Sequence, residues 1–70
     1  MIRKEIKDFV QSMVDAGVYT PEAVNNDEML RVVQKIVDMG YIKALITYGD
    51  KGASIYNEFT DWIETYEGQK

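Results

Sequence analysis

Neither cysteine nor histidine occurs among the 70 residues of this chain. The first absence removes disulfide staples, thiol nucleophiles and Cys-ligated zinc. The second removes the commonest general base and the commonest metal ligand. A chain this short buries only about 60% of the surface that its unfolded form exposes. With no cross-link to help, its stability must come from apolar burial. It needs nearly every apolar position it has, or the help of a partner chain. The supply is adequate for folding, with 46% of residues hydrophobic and 29% charged, a balance too apolar for a disordered segment. One small domain over residues 1–70 is expected, with a frayed end at about 68–70.

Charge narrows the classes of partner. Twelve acids stand against eight bases, a net charge of -4, whereas a nucleic-acid binder carries a basic stripe that neutralises phosphates. No stretch approaches the roughly 20 apolar residues that span a bilayer. Met1-Ile2-Arg3-Lys4-Glu5 is not followed by the apolar core of a secretory signal, so a cytoplasmic location with no membrane contact is expected. The charge is uneven along the chain. Arg3, Lys4 and Lys7 outweigh Glu5 at the start, while Glu58, Asp61, Glu64 and Glu67 stand among residues 53–67 with no base.

Apolar spacing marks the elements. Ile2, Ile6, Phe9, Val10, Met13 and Val14 recur at helical intervals, and Gly17 suits the position just past a helix end. Thr20-Pro21-Glu22 reads as a cap, a first helical proline and an acid near the positive end of the dipole, which predicts a short turn over 21–24. Asn25 with Glu28 resembles a capping box for a helix from about Asp27 to Met39. That helix carries Met29, Leu30, Val33, Ile36 and Val37 on one stripe, which Val32 and Met39 widen, so contacts on two sides are expected. Val32 and Met39 are the expected self-association residues of a homodimer.

Residues 41–56 are ambiguous. Ile42, Ala44, Ile46 and Tyr48 alternate with Tyr41, Lys43, Leu45 and Thr47, and Gly49-Asp50-Lys51-Gly52 is dense in turn residues. The alternation predicts a β-hairpin; the competing reading is a short helix over 41–48. A last helix is expected from about Glu58 to Glu67, capped by Asn57 and burying Phe59, Trp62, Ile63 and Tyr66. The fold class expected is therefore α+β, in the order helix, short turn, helix, hairpin, helix. An all-α bundle of four short helices is the alternative.

Nothing in the sequence assembles a catalytic centre. The acids sit at solvated helical positions rather than in a cleft. Gly49-Asp50-Lys51-Gly52 lacks the glycine spacing and the Lys-Ser or Lys-Thr pair of a phosphate loop. Asn25-Asn26-Asp27-Glu28 lacks the alternating ligands and distal glutamate of a calcium loop. No enzyme activity, cofactor or metal is expected. Tyr41, Tyr48 and Tyr56 suit a core edge or a protein contact better than base stacking beside two lysines.

Glu58, Asp61, Glu64 and Glu67 recur every three residues opposite the apolar stripe of the last helix. Doubled in a dimer, such a row imitates a nucleic-acid backbone and competes for a basic groove on another protein. The function expected is thus a non-enzymatic acidic inhibitor or regulator of a larger nucleic-acid-processing protein, with these four residues as the contact and no direct nucleic-acid binding. The alternative is an adaptor or assembly module that binds through exposed aromatics.

Two resemblances accompany this reading. Val37-Asp38-Met39-Gly40-Tyr41, with Asp61-Trp62-Ile63 downstream, resembles ubiquitin-associated domains, whose first helix ends in Met-Gly-Phe or Met-Gly-Tyr before two more helices. It spans about half the chain, and the glycines at 49 and 52 depart from the family where it would be helical. In size, acidity and lack of chemical residues the chain resembles small phage or mobile-element proteins that block a host enzyme. That likeness is of style and assigns no residue a role.

Overall fold

A computed structural model describes the backbone of residues 1–68 and the side chains of residues 1–66. Every regular element in it is helical: α1 (Lys4–Asp15), a 3₁₀ turn (Pro21–Asn25), α2 (Asp27–Met39), α3 (Tyr41–Tyr48) and α4 (Asp50–Gly68). The chain divides into two compact units, Met1–Gln34 and Lys35–Lys70.

In the first unit, α1 buries Ile6, Phe9 and Val10, the inner part of its predicted stripe. It ends in a Schellman motif: Gly17 N–H donates to Val14 O at 3.0 Å and Val18 N–H to Met13 O at 2.9 Å, with Gly17 at φ 78°. The turn after it brings Tyr19 edge-on to Phe9, with centroids 6.4 Å apart. Pro21 opens the 3₁₀ turn, which buries Ala23. The cap of α2 is Asn26, one residue later than the capping-box pattern suggests. Its Oδ1 accepts from Met29 N–H at 3.1 Å, because the extended backbone at Asn26, not Asn25, leads into the helix. Leu30 and Val33 complete the buried apolar set of this unit. Gln34 ties down the start of the chain: its Oε1 accepts from Arg3 N–H at 2.8 Å and its Nε2 donates to Met1 O at 3.1 Å.

The second unit overturns the α+β expectation. Residues 41–56 form no hairpin; they lie in α3 and the first part of α4, and the all-α alternative fits. The turn-rich tetrapeptide is divided between two helices. Gly49 alone links them: its N–H donates to Leu45 O at 2.8 Å to close α3, and its carbonyl accepts from Ala53 N–H at 3.2 Å to open α4. Gly40 links α2 to α3 in the same way, accepting from Ala44 N–H at 3.0 Å. Gly40 (φ 90°, ψ 169°) and Gly49 (φ 74°, ψ -157°) both occupy a region essentially closed to L-residues with a side chain. One residue in that conformation turns the chain between helices where a four-residue β-loop is expected.

Gly52 then lies inside α4, where it faces α3. A β-carbon on residue 52 would stand 2.6 Å from the Ala44 carbonyl oxygen and 2.7 Å from Tyr48 Cβ. The two helices therefore run back along each other at close approach, and one turn further on Tyr41 and Tyr56 meet with centroids 6.3 Å apart. Ala44, Gly52, Ala53 and Phe59 are buried. The last helix starts at Asp50 rather than near Glu58, since nothing between them breaks it. The expected fraying at 68–70 falls for its last two residues outside the described ones.

These glycines generate two stability predictions. Gly49→Ala should cost about 1–3 kcal/mol of backbone strain. A synthetic chain with D-alanine at 49 should melt at or above the wild-type temperature, since φ 74°, ψ -157° is the mirror image of an extended conformation that L-alanine adopts freely. Equal losses for both enantiomers would contradict the linker conformation. Gly52→Ala, a change that gains about 1 kcal/mol in an open helix, should here lower stability by about 1–3 kcal/mol through overpacking against backbone. A stabilised Gly52→Ala variant in urea titration would show that the helices do not approach closely.

Candidate protein-interaction surfaces

The acidic residues sit on α4. A helix turns about 100° per residue, so a three-residue step falls short of a full turn by about 60°. Asp61 lies opposite the buried Gly52–Phe59 line, with Glu58 and Glu64 about 60° to either side of it. Asp61 and Glu64 are exposed and Glu58 is half-buried. The Glu67 side chain is outside the described residues. Among the described residues no basic side chain pairs with Glu58, Asp61 or Glu64. Ion pairs form in the first unit: Arg3–Glu5 at 3.0 Å, Lys4–Asp8 at 2.7 Å and Arg31–Asp27 at 2.8 Å. Arg3 and Lys4, two of the bases that skew the start of the chain, are thus engaged by acids on their own helix.

The expected self-association residues are both half-buried. Val32 lines a shallow open hollow of about 290 Å³ with Asn26, Glu28 and Met29. Met39 belongs to the second unit. The tyrosines proposed for protein contact are partly engaged by one another. Tyr41 packs edge-on against Tyr56 and stays 41% exposed, and Tyr48 is 37% exposed.

The most exposed internal apolar side chains are ones the sequence reading passed over. Ile42 is 66% and Ile46 78% exposed, on one face of α3 a single turn apart. Their exposure follows from the packing of Ala44. Ala44 is fully buried beneath Gly52, and residues two before and two after it lie about 160° away on a helix. Leu45 is half-buried and Lys43 is exposed on the same outer side. A signal for this was present: Tyr41, Ile42, Ala44, Leu45, Ile46 and Tyr48 are six apolar residues out of eight in one helix, more than a single buried face can hold. Read as a strand with two covered faces, the same residues raise no such conflict.

The outward faces of α3 and α4 each point away from the contact between those two helices. A single flat partner cannot cover both. The apolar pair and the acidic row are therefore two separate candidate surfaces.

No group of three or more His, Cys, Asp or Glu residues among the described residues is placed to hold a metal ion. Among the same residues no helix is long and apolar enough to cross a membrane. Compared with known proteins, the chain matches no family model, no curated protein and no solved structure. The resemblance to ubiquitin-associated domains thus rests on Val37–Tyr41 and Asp61–Ile63 alone, and the glycine link between α2 and α3 accounts for Met39-Gly40-Tyr41.

Trp62 gives a check on the inner side of α4. It stacks on Tyr66 at 4.6 Å and 26° and tilts against Phe59 at 5.9 Å, but it is only half-buried. Trp62→Ala should cost about 2 kcal/mol, below the 3–5 kcal/mol typical of a fully enclosed ring. A loss under about 0.5 kcal/mol in urea denaturation followed by circular dichroism would make the ring a surface group.

Proposed function

We propose that this chain is a non-enzymatic protein-interaction module that seats the outward face of α3 in an apolar groove of another protein. The observation that carries the reading is the exposure of Ile42 and Ile46 one turn apart on a short helix. Spacing of i and i+4 is how an amphipathic helix anchors itself in a groove. Burial of each isoleucine supplies about 1.5–3 kcal/mol. Shape argues for a groove on a different protein rather than for a second copy of this one. Two isoleucines one turn apart form a ridge, and a ridge does not enclose another ridge. This is the adaptor reading of the sequence, with isoleucines as the anchors in place of tyrosines.

The acidic-inhibitor reading stands second. It is supported by the exposure of Asp61 and Glu64 and by the absence of a basic partner for them among the described residues. Its contact would be a basic groove, and its binding would weaken steeply with salt.

A photo-crosslinking amino acid placed at position 46 or at position 61, in the cells that express the chain, separates the readings. The proposal expects a discrete adduct from position 46 that persists at high salt. An adduct from position 61 alone, lost at high salt, would replace it with the acidic reading. An adduct of twice the chain's own mass would replace it with self-association. Changing both anchors, Ile42→Ser and Ile46→Ser, should weaken the captured partner at least about 100-fold, as loss of two buried isoleucines implies. The same change should leave the melting temperature within a few degrees, because both side chains face water in the free chain.

A further inference from the structure

We draw no further inference here: the strongest candidate, the outward face of α3 with Ile42 and Ile46, belongs to the function already proposed, and the remaining features, the open hollow at the start of α2 and the acidic outer face of α4, are surface features that nothing in the structure ties to a ligand.

Discussion

In residues 35–70 one glycine joins two helices and another lets them touch. Gly49 turns the chain within a single residue, and Gly52 brings the start of α4 against the Ala44 carbonyl and Tyr48 Cβ. The rest of this unit follows from that contact. It fixes which side of α3 is inner, so Ala44 is buried and Ile42 and Ile46 are not. It fixes which side of α4 is inner, so Asp61 and Glu64 face outward. The small side chain of Ala44 matters for the same reason, because close approach is possible only where neither helix carries bulk at the crossing. The enthalpy gained there is short-range dispersion, which declines quickly if the helices separate by even a fraction of an ångström.

The first half of the fold was legible because its signals are local and independent. Apolar spacing over Ile6, Phe9 and Val10, the glycine stop at 17 and the proline at 21 each identify a feature with no knowledge of the others. Two local details differ: Thr20 precedes the 3₁₀ turn but makes no side-chain cap hydrogen bond, and the cap of α2 is Asn26 rather than Asn25, a shift of one residue between adjacent asparagines. Two neighbours with the same side chain give the sequence no means of choosing between them.

The second half was misread for a physical reason. Alternation of Ile42, Ala44, Ile46 and Tyr48 satisfies a period of two, and over eight residues that period is hard to separate from a helical one. Gly49-Asp50-Lys51-Gly52 then tips the balance, because its glycine content suits a loop. The two glycines have different tasks. Gly49 needs a positive φ, whereas Gly52 is helical and needs only the absence of a β-carbon. A tertiary contact decides the second task, and no local pattern announces it. The same misreading hid the exposed isoleucines, since a strand assigns Ile42 and Ile46 to the face that also holds Ala44. Of the acidic row, the exposure of Asp61 and Glu64 was legible from their distance to Phe59 and Trp62. The turn of the row around the helix, which separates Glu58 from Glu64 by about 120°, is a consequence of three-residue spacing.

The α3–α4 contact is tested most directly by solution NMR of the isotope-labelled chain. The account predicts helical Cα shifts through residues 41–48 and 50–56, interrupted only at Gly49, and nuclear Overhauser contacts from the Gly52 α-protons to Ala44 and Tyr48. Strand-type shifts on both sides of residues 49–52, with cross-strand contacts between residues 41–48 and 53–56, would contradict it, and the outward placement of Ile42 and Ile46 would fall with it.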